Sequence, residues 1–111
     1  MKLKEGASLR GVQWQMFYAA IIIEGVLQKS GYECVITSGT DGQHGVGPSK
    51  PGKADKTLHD DGLALDIRNR DIPVPQWEPL RRDIAAALGN EYDVVLETKP
   101  PHFHVEFDPP K

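Results

Sequence analysis

The chain predicts an α+β domain, on three observations. Two stretches of helical character, Gly11 to Lys29 and Pro75 to Leu88, are separated by segments of strand period. No repeat, linker or second domain interrupts the 111 residues, and a chain of that length buries roughly two-thirds of its unfolded surface, enough for one core without staples. A single cysteine excludes a disulfide framework, so the core must hold itself together by packing.

Taken in order, Gly11 to Lys29 is largely apolar, with Gln13, Glu24 and Gln28 on one side and Trp14, Phe17, Tyr18, Ile21, Ile22 and Val26 elsewhere. This predicts a deeply packed helix closed by Ser30-Gly31. The helical spacing of Trp14 and Tyr18 favours core packing over a platform for sugar rings. Tyr32 to Ser38 follows as a strand, with Cys34 as a small core residue. Gly39 to Lys56 is rich in Gly, Pro, Ser and Lys and has no apolar period, which predicts a loop bordering a cleft. Its Lys50, Lys53 and Lys56 suit either attraction of an acidic peptide or plain solvation.

From Gly62 the period changes. Leu63, Leu65 and Ile67 alternate with Gly62, Ala64 and Asp66, so Asp66 points away from the core side of a strand. The second helix, Pro75 to Leu88, carries an inner stripe of Trp77, Leu80, Ile84, Ala87 and Leu88 and ends at Gly89. Tyr92 to Glu97 and His102 to Phe107 form a terminal strand pair. In the last of these Phe103, Val105 and Phe107 share one face, and His102, His104 and Glu106 share the other. Pro100-Pro101 predicts an extended or turned link lacking two ladder donors.

Composition narrows the function classes. A net charge of -3 gives no nucleic-acid footprint. Ile21-Ile-Ile23 is interrupted by Glu24 and too short to span a bilayer, and no apolar stretch follows the charged Met-Lys-Leu-Lys-Glu start. The expectation is a cytoplasmic monomer with no membrane insertion.

The chemistry concentrates in His59, Asp66, Glu97, His102 and His104. A lone Asp after an aliphatic run is commonly a strand end paired with a neighbour, here Arg68 or Arg70, and a His-x-His pair is commonly just exposed. Their joint occurrence on facing strands points instead to a divalent transition metal held by imidazole and carboxylate, with a further carboxylate as base. The lone Cys34 rules out a closed thiolate site. A non-haem iron triad uses the same donors, but His59 and Asp66 are seven residues apart and the chain is short for a double-sheet barrel.

Thr57-Leu-His59-Asp-Asp-Gly62-Leu-Ala64-Leu-Asp66-Ile67 resembles the Ser-x-His-x-x-Gly-x-Ala-x-Asp-Ile motif of the zinc D-alanyl-D-alanine carboxypeptidases and L-alanyl-D-glutamate endopeptidases, whose fold is shared with the Hedgehog signalling domain. Val35-Ile-Thr-Ser38-Gly39 is similar to the strand and turn before that motif, and Glu97 with His102-Phe-His104-Val is similar to its closing element. The resemblance covers about Val35 to Phe107. It implies a mainly antiparallel sheet with helices on one face, one zinc per chain on His59, Asp66 and His104, Glu97 as general base, and His102 supporting the site or the oxyanion. It also implies hydrolysis of peptidoglycan stem peptides, as in small phage endolysins, which would reach the wall when a membrane is breached during lysis. Two departures stand out. Ser38-Gly39 is followed by Thr40 and Asp41, where the family often places a substrate-binding arginine, and Thr98-Lys-Pro-Pro101 makes the link from Glu97 to His102 longer than usual. A zinc-binding recognition module of the same fold, without turnover, is the rival reading.

Overall fold

A computed structural model describes residues 1–39 and 62–109. It is an α+β arrangement of a five-stranded mixed sheet, mostly antiparallel, with two long helices packed against it. The strands are β1 (Lys2–Leu3), β2 (Val35–Ser38), β3 (Ala64–Arg68), β4 (Tyr92–Thr98) and β5 (Pro101–Phe107), in the spatial order β1-β2-β3-β5-β4. Only the β1–β2 pair is parallel. Helix α1 is Trp14–Lys29, and α2, Trp77–Leu88, follows a short 3-10 turn at Val74–Gln76.

Alternation sorts the sheet into two faces. Leu65 and Ile67 of β3, Val94 of β4 and Phe103 and Val105 of β5 point into one core with Ile23 and Leu27 of α1 and Leu80 and Ile84 of α2. The intervening positions, Asp66, Val95, Glu97, His102 and His104, therefore belong to the opposite face. The predicted helix-on-one-face layout is what this parity requires. Cys34 is buried in the core, where burial pushes its thiol up to about 11, as a packing residue rather than a nucleophile.

The ends of the helices follow their glycines. Gly31 stands at φ 83°, and the amides of Gly31 and Tyr32 bond back to the carbonyls of Gln28 and Leu27, so α1 stops where Ser30-Gly31 predicts. Gly89 ends α2, also at positive φ (90°), its N–H donating to the carbonyl of Ala85. The indole N–H of Trp77 donates to the carbonyls of Asn69 and Ile72, tying the start of α2 to the segment leaving β3.

Two expectations are overturned. The inner stripe of α1 is Met16, Ala19, Ala20, Ile23 and Leu27, while Trp14, Phe17, Tyr18 and Ile21 are exposed. The helix is apolar nearly all round, so its pattern carried no direction, and the two alanines let its backbone approach the core closely. Trp14 and Tyr18 are thus surface residues, not core. In α2, Leu80, Ile84 and Leu88 are buried as expected, but Ala87 is exposed and Ala85 joins Trp77 at the margin of the core. The Pro-Pro link is turned, one of the two forms expected, as a tight hairpin in which Thr98 pairs with Pro101 across Lys99 and a cis-linked Pro100. Pro101 lies beyond the end of the β3–β5 ladder, at Arg68↔His102, so its missing N–H leaves no partner unpaired.

At β1 the amides of Lys2 and Lys4 donate inward to Cys34 and Ile36. At β4 a guanidinium N–H of Arg81 donates to the outward carbonyl of Val94 over 3.2 Å.

Gly62 is the residue on which entry into β3 depends. It sits at φ 75°, its carbonyl accepts from the Gln13 N–H at 2.9 Å, and a Cβ there would run into the Gly11 carbonyl oxygen and come within 3.1 Å of the Val12 Cα. Backbone, not a yielding side chain, forms that wall. Gly62→Ala is expected to cost about 2 kcal/mol or more, from strain at positive φ plus the enforced displacement. An unchanged urea unfolding midpoint would contradict this.

Candidate metal centre

The site is built from two neighbouring strand pairs. In β3–β5 the register places Asp66 opposite His104 and Arg68 opposite His102, and in β4–β5 it places Glu97 opposite His102 and Val95 opposite His104. Because residues two apart share a face, His102, His104 and Glu106 line up along β5, with Asp66 on one flank and Glu97 on the other. Asp66 is buried, His102 and His104 are largely covered, and Glu97 is half exposed at 49%. A shallow depression lined by Val95, Leu96, Glu97, Thr98 and Lys99 borders the Glu97 carboxylate.

Hydrogen bonding fixes the orientation of both rings. His102 Nδ1 lies 2.7 Å from the Pro100 carbonyl oxygen, which can only accept, so Nδ1–H donates there. Nε2 then faces Glu97 Oε1 at 3.0 Å and Asp66 Oδ1 at 3.4 Å. His104 lies between two carboxylates, with Nδ1 2.9 Å from Asp66 Oδ1 and Nε2 2.8 Å from Glu106 Oε1. Burial works against its charged form, but the hydrogen bonds and charges of Asp66 and Glu106 outweigh it and hold the imidazole up at about 9.

Asp66, His102 and His104 each offer a ligand atom, and these atoms all lie within 4.8 Å of one another. The trio could hold a metal ion. Donors about 2.0 to 2.1 Å from a tetrahedral zinc stand about 3.3 Å apart, and the separations of 2.9 and 3.4 Å from Asp66 Oδ1 bracket that value. The donor chemistry also fits, with two nitrogens and one carboxylate oxygen and with Pro100 and Glu106 engaging the remaining ring nitrogens from outside. Asp93, Glu106 and Asp108 form a second group, all carboxylate and mostly exposed, of a kind common on surfaces without an ion.

Of the residues singled out from sequence, Asp66, Glu97, His102 and His104 converge. His59 lies outside the described residues. Glu106, which the sequence places on the strand face of His102 and His104 as a reserve base only, is bonded to His104 instead. Comparison with family models, with curated proteins and with solved structures finds no match to this chain. Among the described residues no helix is long and apolar enough to cross a membrane.

The charge on His104 has a measurable consequence. In the metal-free protein its folded value of about 9 lies above the ordinary 6.5, so its contribution to stability is complete below pH about 6.5 and is lost as pH rises through about 9. A metal ion at Nδ1 must displace that proton. Metal affinity is therefore expected to rise about tenfold per pH unit between about pH 7 and 9, from this group alone. Competition with a chelator of known pH dependence measures it, and a flat profile would show that His104 gives up no proton.

Proposed function

We propose that this chain is a zinc-dependent hydrolase acting on the stem peptides of bacterial peptidoglycan. The observation that carries the reading is the convergence of His102 Nε2, His104 Nδ1 and Asp66 Oδ1, a cation's donor set, with the Glu97 carboxylate beside it left over as base. Asp66, His102 and His104 would hold the ion, and His59 belongs to the ligand set in the resemblance. When bound, zinc supplies a Lewis acid and lowers the pKa of a coordinated water.

The remaining groups have separable tasks. Glu97 is half exposed beside a depression in which a peptide carbonyl can lie, so its carboxylate can take a proton from the attacking water and deliver it to the departing amine. Asp66 neutralises charge from within the sheet. Glu106 orients His104. His102, if His59 completes the ligand set, faces the developing oxyanion instead.

The substrate class rests on the resemblance. Incubation of zinc-loaded protein with purified peptidoglycan, followed by mass spectrometry of the released termini, is the test. New D-alanine or L-alanyl ends are expected, and their absence with fully zinc-loaded protein would overturn the substrate assignment. One feature favours the rival, a zinc-binding recognition module without turnover, because no arginine follows Ser38-Gly39 to bind a peptide carboxylate. Saturable binding of the intact muropeptide with no product would select it.

A further inference from the structure

We infer that Arg68 holds a carboxylate of the substrate peptide beside the metal centre, an inference that rests on the reading of this site as one for a peptide. Strand parity puts Arg68 on the face that carries Asp66. The β3–β5 register sets it opposite His102, and the β4–β5 register sets Glu97 opposite the same histidine from the other side. Arg68, His102 and Glu97 therefore form one row across three strands.

Charge sets Arg68 apart from its neighbours. It is the one Lys or Arg on β3, β4 and β5, where Asp66, Asp93, Glu97 and Glu106 all share its face. An arginine among acids is ordinarily drawn into a forked pair with one of them. Here none of those acids is its partner. Among the described residues Arg68 pairs only with Asp71, at 3.9 Å, too long for a hydrogen bond, and Asp71 lies 74% exposed beyond the strand. The Arg68 side chain is itself only 22% exposed. A planar guanidinium that is largely covered, yet makes no hydrogen bond among the described residues, is matched by an incoming carboxylate that accepts two N–H groups side by side.

Spacing says where on the peptide that carboxylate sits. Two strand spacings, about 10 Å, separate the backbones of Arg68 and Glu97, and both side chains extend toward the His102 between them. With the leaving amine within reach of Glu97, the gap to Arg68 is filled by the residue that owns that amine, so its own α-carboxylate is the group held. A stem peptide offers this group in two places, at a terminal D-alanine and at a D-glutamyl residue linked onward through its side chain. The chemistry is the same in both.

Calorimetric titration distinguishes them. The Glu97→Gln protein, in which turnover is suppressed, is titrated in zinc-containing buffer with acetyl-D-Ala-D-Ala and acetyl-L-Ala-D-Glu, and with each peptide amidated at the α-carboxylate. Amidation should weaken binding of the matching peptide at least about 10-fold, and Arg68→Gln in the same background should erase that difference while zinc content and circular dichroism stay unchanged. Arg68→Lys, which keeps the charge and loses the fork, should restore only part of it. Asp71→Asn should leave it intact. The inference is overturned if acid and amide bind alike in both peptides, if neither acid binds, if the difference persists in Arg68→Gln, or if Asp71→Asn abolishes it equally, which would make Arg68 a strand-end ion pair. Peptidoglycan left uncut by the wild type while the acid–amide difference holds would instead overturn the hydrolase and leave Arg68 its role in binding.

Discussion

His104→Ala is expected to lose metal by about 100-fold or more in affinity, the largest effect of any single change at the centre, because it removes both a donor and the link between two carboxylates. In the metal-free protein the same change leaves Asp66 and Glu106 facing across the place of the lost imidazole, with like charges and no hydrogen bonds from it. A loss of about 1 to 3 kcal/mol at neutral pH is expected on that account, since removing one member of a buried charge pair costs more than deleting the pair. Elemental analysis after dialysis, together with urea unfolding, separates the two effects. Parallel variants assign the third ligand. Metal lost in His102→Ala and kept in His59→Ala makes His102 the donor, and the converse restores the set implied by the family resemblance. Full metal retention in His104→Ala would remove the centre from this place altogether.

Glu97→Ala is expected to keep its metal and lose turnover by about 100-fold to 10,000-fold, the range typical of a positioned proton carrier. The separation of the two properties follows from geometry. Glu97 stands on β4, across the ladder from His102 and half exposed, whereas Asp66 and His104 meet across the β3–β5 ladder. Glu97→Gln should behave like Glu97→Ala, because the amide preserves shape but cannot accept the proton. Steady-state rates on the peptide products identified from peptidoglycan, with zinc content measured on the same samples, provide the check. Unchanged kcat in a zinc-loaded variant would move the base elsewhere. Glu106 would be a weak replacement, since its carboxylate is already committed to His104 Nε2.

Much of the centre was legible because strand parity is a strong code. The alternation of Leu65 and Ile67 with Asp66, and of Phe103 and Val105 with His102 and His104, is enough to put both histidines and the aspartate on the same side of a sheet. Parity does not give register, so the pairing of Asp66 with His104 and of Glu97 with His102 had to come from the folded chain. Nor could the sequence orient the His102 ring, which turns on the carbonyl of Pro100 two residues away. The direction of α1 was illegible for the opposite reason: its pattern was too uniformly apolar to distinguish the face that met the sheet from the face left outside. β1 was missed because two residues paired by backbone alone carry no side-chain signature.

The sheet's edges bear on how this chain avoids sticking to itself in the wrong way. Exposed strand edges template fibrils by offering a row of free amides and carbonyls. Here β1 is two residues long, begins with Lys2 and is followed by Lys4, and at β4 the outward carbonyl of Val94 is capped by Arg81. Strand-to-strand growth is thereby discouraged at both ends. Arg81→Ala would uncover the Val94 carbonyl, and aggregation on prolonged warming, rather than loss of fold, is where that change would first be felt.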